Sequence, residues 1–350
     1  MKVDLKDFIC TTPFYELEIQ EHNCFFCCAS WLPKKVSTSE YPIKDVWNSK
    51  PASDIRNSIL DGSYKYCDKE LCPHLSKLVN FGIASGTIYD KNKPNEKLNN
   101  HIKNGSNDTP DFININIDRS CNFKCPSCRK DIIFDNNKKA TKTLIEIEDT
   151  FSDTLNSFCV TGVGDPFASI AYRDFLRNFD PTKYKKLKNI HLHTNASLWT
   201  KKMWESMPNI HPYVHSCEIS IDAGTKHTYE NVTRLNGNWE TLMENLDFIK
   251  SIKTIGEIRV SFVVQTDNYK EMCIFADLMY NKLGNKANIF FGRINNWGTY
   301  TDQEFEKVKV WDKNHPEHKL FVKELNKVWT KPKVRHNLYE FINTKKKSLI

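Results

Sequence analysis

From Asp111 onward, short apolar strand-like segments alternate with helix-length ones, and this alternation constrains the chain more than any other feature. Asp111 to Asp118 (DFININID) alternates apolar and polar residues with period two, as a half-buried strand does. Ser157 to Thr161, Asn189 to Thr194, Ser216 to Asp222, Glu257 to Gln265 and Ala287 to Arg293 are the next strand candidates. The segments between them carry apolar residues three and four apart, as in Trp239 to Ile252 and Tyr269 to Leu283. Strands alternating with helices pair in parallel through right-handed crossovers, which predicts an open or barrel-like α/β domain. Such domains bind ligands at the C-terminal ends of their strands. The polar signatures fall there: a cysteine loop after the first strand, Gly162 to Pro166 after the second, His193 to Asn195 at the third and Asp222 at the fourth.

With 350 residues the chain is long enough for one large domain and a smaller companion. The sequence divides into a cysteine-rich segment (1–90), a polar linker dense in Asn, Lys and Pro (91–110), the alternating domain (111–300) and a C-terminal extension expected to be helical (301–350). Hydrophobic residues make up 39% and charged residues 27%, enough apolar area for a packed core. No apolar run approaches the roughly 18 residues of a membrane span. Met1 to Cys10 mixes charge throughout, so a cytoplasmic protein without a membrane partner is expected. The net charge of +7 is dispersed, and the densest runs, Lys183 to Lys188 and Lys345 to Lys347, read as solvated surface. This disfavours nucleic acid and remains compatible with an anionic substrate.

Twelve cysteines without an export signal imply metal binding or catalysis rather than a disulfide framework, because cytosolic thiols are kept reduced. Eight fall in three groups: Cys24, Cys27 and Cys28; Cys67 and Cys72; Cys121, Cys125 and Cys128. Cys10, Cys159, Cys217 and Cys273 are scattered and read as packing residues. The segment CNFKCPSC places three thiols at spacings of four and three directly after a strand. A four-iron four-sulfur cluster takes one cysteine per iron, so a local set of three leaves one iron for an outside ligand. A zinc site completed by a distant residue is the alternative.

The CxxxCxxC spacing of Cys121, Cys125 and Cys128 resembles the signature of the radical S-adenosylmethionine superfamily, and the resemblance runs from about Asp111 to Arg293. It implies a partial (β/α)6 TIM-like barrel and a 4Fe-4S cluster held by these three cysteines. In that family the open iron is chelated by S-adenosylmethionine, whose cleavage yields a 5'-deoxyadenosyl radical that takes a hydrogen atom from the substrate. TGVGDPF is similar to the family's GGEP element, with Gly162, Gly164, Asp165 and Pro166 as implied cofactor contacts and Val163 in place of a glycine. HTNA, with Thr194 and Asn195, resembles the TNG element, and SIDAG, with Ser220 and Asp222, resembles the end of the next strand. Asn195 as a turn residue and Asp222 as a helix cap are the plainer readings. Arg259 to Asn268 matches a later strand, with Gln265 or Asn268 reaching the ligand. Ser127 stands where the family often has an aromatic residue. His191 and His193 share a strand face, and hydrogen bonding accounts for such a pair more readily than a metal does.

Cys24 to His74 resembles the SPASM or twitch module, which binds an auxiliary iron-sulfur cluster; here it precedes the barrel instead of following it. The resemblance implies an auxiliary 4Fe-4S cluster on four of Cys24, Cys27, Cys28, Cys67 and Cys72, with structural zinc as the alternative. Proteins of this kind modify a peptide or protein side chain, or oxidise or epimerise a sugar or aminocyclitol, and draw electrons from a small donor such as flavodoxin or ferredoxin. An expectation of a different class is a non-catalytic iron-sulfur electron carrier. In the radical reading the cofactor carries the chemistry, so no catalytic triad is expected.

Overall fold

The computed structural model describes residues 3–84, 86–93, 109–135 and 137–342. The Lys345 to Lys347 run, most of the 91–110 linker and the end of the 301–350 extension lie outside them. The chain forms two compact units: one gathers 1–118, 137–163 and 180–190, the other 119–136, 164–179 and 191–350.

The first unit opens with β1 (Phe8–Cys10), β2 (Glu16–Gln20), β3 (Asn23–Phe25), β4 (Val36–Ser37) and β5 (Ile88–Asp90). β1, β3, β4 and β5 are too short to show a period in the sequence, whereas β2 (ELEIQ) alternates over five residues and is not among the expected strands. The expected strands after the linker are β6 (Phe112–Asn116) and β7 (Ser157–Val160). β1 pairs with β5 antiparallel, and a larger sheet runs β7-β6-β2-β3-β4. Its β7-β6-β2 part is parallel, so a strand of the cysteine-rich segment extends the sheet of the alternating domain. Pairing along β6 satisfies backbone groups that a free edge would leave open. Helix Lys138–Phe151 connects β6 to β7. Asn137 caps it by accepting from the Ala140 amide, and Ala140, Leu144, Ile147 and Phe151 form its buried stripe.

The second unit holds most of β8 (Asn189–Thr194), then β9 (Val214–Ser220), β10 (Glu257–Val264), β11 (Ala287–Arg293) and β12 (Val334–His336). The strands are parallel where paired and lie in chain order from β8 to β12. Such an order winds in one direction, as in a (β/α) barrel, and never reverses as a doubly wound sheet does. The expected α/β class with parallel strands is therefore what the chain adopts. Ile219, Val260 and Ile289 are register partners across β9, β10 and β11, and all are buried. On the opposite face of the pleat lie Glu218 beside Arg259 and Ser220 beside Ser261. Helix Trp239–Ser251 buries Leu242, Leu246 and Ile249, and helix Met272–Leu283 buries Phe275, Ala276 and Met279, both on the predicted stripes. The C-terminal extension contributes helices Asp302–Val308 and His318–Val328 as expected, and also β12, which joins β11 in parallel. Three residues carry too little pattern to be read as a strand.

Candidate functional site

The cysteine loop belongs to the second unit. Cys121 and Ile133 form an antiparallel bridge, with the Cys121 amide donating to the Ile133 carbonyl at 2.7 Å, which closes the segment between them. Inside it, the amides of Cys128 and Arg129 both donate to the Cys125 carbonyl at 2.9 Å, so Cys125 and Cys128 lie on one turn. Cys121 and Cys125 are buried. Each of the three sulfurs faces an N–H donor from a different residue. Asn195 Nδ2 is 3.7 Å from Cys121 Sγ, an Arg234 guanidinium nitrogen is 3.5 Å from Cys125 Sγ, and an Arg129 guanidinium nitrogen is 3.4 Å from Cys128 Sγ. Burial pushes the Cys121 thiol up to about 11, the Asp165 charge adding to the rise and Arg129 opposing it. Burial also raises Cys125, against the pull of Arg234. For Arg234, burial opposes its charge, but Asp222, Cys125 and Tyr229 outweigh burial and hold it protonated.

Around this loop the strand ends are joined by their own side chains. Asp165 is fully buried; one carboxylate oxygen accepts from Thr194 Oγ1 at 2.6 Å and the Asn195 amide at 2.9 Å, the other from the amides of Phe167 and Ala168. Four donors occupy the acceptor capacity of the carboxylate, which therefore staples the 164–168 turn to the end of β8. Asn195 Oδ1 accepts from the Ser197 amide and hydroxyl, while Nδ2 reaches Asn122 Oδ1 at 3.0 Å. Asp222, at the end of β9, pairs with Arg234 at 2.6 Å and accepts from the Val263 amide at 2.7 Å. Its φ of 60° lies in the left-handed region, as does that of Ala196 (63°), so strained non-glycine backbone marks the ends of two adjacent strands.

Gly164 and Pro166 lie in the turn that Asp165 holds, and Ser220 Oγ contacts His193 Nε2 at 3.0 Å and Ser261 Oγ at 3.3 Å. Gly162 lies in the first unit, where its amide donates to Asn116 Oδ1 at 2.6 Å. Asn268 is buried as an internal tie, donating to the carbonyls of Asp222 and Val263. Gln265 Oε1, by contrast, is buried without a hydrogen-bond partner among the described residues. His191 and His193 bond to Ser216 and Ser220, as expected of a hydrogen-bonded pair. Arg234, Arg129 and Asn122 are not among the expected site residues. Asn122 and Arg129 lie within and directly after the CNFKCPSC segment, where a neighbouring donor could have been sought, whereas no period or motif distinguishes Arg234 in NVTRLNG.

The N-terminal cysteines belong to the first unit. Cys24 lies on β3 opposite Ile19 and is completely buried. Cys10, Cys67 and Trp31 pack against the apolar cluster that contains Cys72, so Cys10 is a packing residue as expected, in the same cluster as two of the grouped thiols. Among the described residues, no group of three or more His, Cys, Asp or Glu side chains is gathered closely enough to hold a metal ion. No helix of the described residues is long and apolar enough to cross a membrane.

No protein-family model matches this sequence, and no curated protein matches it. Among solved structures, the chain is similar to Streptococcus suis SuiB bound to precursor peptide SuiA, with 15% identity and a TM-score of 0.40 over 84% of this chain and 64% of that one. It is also similar to Streptococcus suis SuiB bound to S-adenosylmethionine, with 13% identity and a TM-score of 0.43 over 96% of this chain and 71% of that one. A third likeness is to TYW1 with a lysine-pyruvate adduct bound, with 12% identity and a TM-score of 0.34 over 59% of this chain and 68% of that one. The chain spans less than two thirds of the peptide-bound SuiB chain. Likenesses at this level assign no activity.

Proposed function

We propose that the chain is a radical S-adenosylmethionine enzyme whose cluster is held by Cys121, Cys125 and Cys128 and which modifies a peptide or protein side chain. One observation carries the reading: three thiols in a single loop, each met by its own amide or guanidinium donor. This donor set fits an anionic iron-sulfur cluster with one iron left for an outside ligand. The bound cluster would supply the electron that cleaves S-adenosylmethionine and so makes an agent able to remove a hydrogen atom from an unactivated carbon. The residues of the chain bind and orient. Arg129 and Arg234 offset the negative charge of the thiolates, and Asn195 holds Cys121 from the end of β8. Asp165 fixes Gly164, Pro166, Thr194 and Asn195 in one arrangement, while Ser220 and Asp222 close the neighbouring strand end; this is where S-adenosylmethionine would lie. The peptide substrate follows from the resemblance of the amino-terminal segment to the auxiliary-cluster module. An electron donor such as flavodoxin or ferredoxin would reduce the cluster.

The test is anaerobic reconstitution with iron and sulfide, followed by 5'-deoxyadenosine release under strong reductant. Cys125→Ala should abolish release, and undiminished release in that variant would overturn the proposal. An electron carrier, in contrast, would cleave no S-adenosylmethionine under the same reductant.

A further inference from the structure

The two faces of the sheet formed by β9 to β12 differ in character. Val260 and Phe262 of β10 share a face with their register partners Ile289 and Phe291 of β11, and the Phe262 and Phe291 rings both pack on Phe275 of helix Met272–Leu283. This is the helix-covered side. On the other side one row runs straight across the strands: Ser220 of β9, Ser261 of β10, Phe290 of β11 and Arg335 of β12 are successive register partners. Ser220 ends β9, and its hydroxyl contacts His193 Nε2 at 3.0 Å, so the row adjoins the strand ends that carry Asn195 and Asp222.

A closed barrel fills its interior with branched apolar side chains. This row is not filled in that way, because Ser220 and Phe290 are half-buried and Arg335 is exposed. Other charges on the same side lie further from the strand ends. Arg259 pairs with Glu218 at 3.2 Å one row away, and Glu257 stands opposite Ser216 one row beyond. Arg335, in contrast, has no carboxylate partner among the described residues. A Cβ at Gly292 would stand 3.2 Å from Phe290 Cε1, so glycine there lets the Phe290 ring lie along β11. The C-terminal extension, through β12, thus sets an unanswered cation beside a half-exposed aromatic ring.

We propose that this row is a substrate subsite that receives a glutamate side chain of a peptide, with the carboxylate at Arg335, the methylene stem along Phe290, and the hydroxyls of Ser220 and Ser261 on the polar side. A guanidinium meets a carboxylate with two parallel N–H bonds, and the adjoining ring shelters an apolar stem. The pairing of cation and ring decides the ligand. A free phosphate would occupy Arg335 and leave Phe290 bare, whereas an acidic side chain on a flexible stem covers both. The subsite deepens the reading of the chain as a peptide-modifying enzyme and rests on it, since it places the peptide next to the strand ends where that chemistry would occur.

The test is calorimetric titration of the anaerobically reconstituted full chain with a short peptide of alternating glycine and glutamate, capped at both ends, and with its glutamine counterpart. The glutamate peptide should bind about five-fold more tightly. Arg335→Gln should abolish that preference, and Arg335→Lys should keep part of it. Phe290→Ala should weaken binding of both peptides by about three-fold. Lys202→Gln, which removes an exposed charge elsewhere on the second unit, should leave the preference intact. Circular dichroism checks that each variant is folded. Equal affinity for the two peptides, no binding of the glutamate peptide, a preference that survives Arg335→Gln or is lost in Lys202→Gln, or displacement of the peptide by an equal concentration of inorganic phosphate would each overturn the assignment. Titration reads binding alone, so its failure is distinguishable from failure of 5'-deoxyadenosine release.

Discussion

At the scale of single residues, Asp165 and His191 show how burial changes what a polar group does. The Asp165 carboxylate takes four donors from two chain segments, so Asp165→Asn replaces an acceptor oxygen with a donor and leaves buried groups unmatched. The expected cost is about 2–4 kcal/mol, read as a fall in the urea midpoint. Burial lowers His191 to about 4, Glu218 opposing the shift and His193 adding to it. The folded imidazole stays neutral while the unfolded one takes a proton below about 6.5, so stability is complete above that pH and drains away as pH falls towards 4. At pH 5 the loss attributable to this group is about 2 kcal/mol. Urea unfolding at pH 7.5 and pH 5 checks this, because His191→Asn should lack that part of the decline. HLHTN and GDP show polar residues at strand ends, and for His191 the expectation of a hydrogen bond, but not which atoms they meet or how deeply they are buried.

At the scale of elements, periodicity placed the long strands and helices well. Asn189–Thr194 and Ala287–Arg293 have the expected bounds, and helix Trp239–Ser251 ends one residue short of Ile252. β9 ends at Ser220 rather than Asp222, because left-handed backbone at Asp222 cannot continue a strand. The expected helix Tyr269–Leu283 begins with a 3-10 turn over Tyr269–Glu271. β10 shows what an element contributes beyond its pattern. Phe262 is fully buried, with ring centroids 5.0 Å from Phe275 and 5.4 Å from Phe291, so it joins its strand to a helix and to β11. Phe262→Ala should cost about 3–5 kcal/mol, and a thermal or urea midpoint that barely moves would contradict this packing.

At the scale of the whole molecule, the three-cysteine loop and the amino-terminal thiols belong to different compact units, so their metal contents should be separable. Anaerobic reconstitution of the unaltered chain should yield about eight irons, and substitution of the three loop cysteines about half as many. A count that stays the same after that substitution would show that the loop binds no cluster.

The sequence by itself determined the α/β class, the order of the long strands and the spacing of Cys121, Cys125 and Cys128, because these depend on periodicity and on residues close together in the chain. Only the tertiary structure decided the rest. It brought β2 alongside β6, set Arg234 against Cys125 and Asp222, and turned Asp165 inward. Those contacts join residues far apart in sequence, and which face each side chain presents depends on a register that no local pattern encodes.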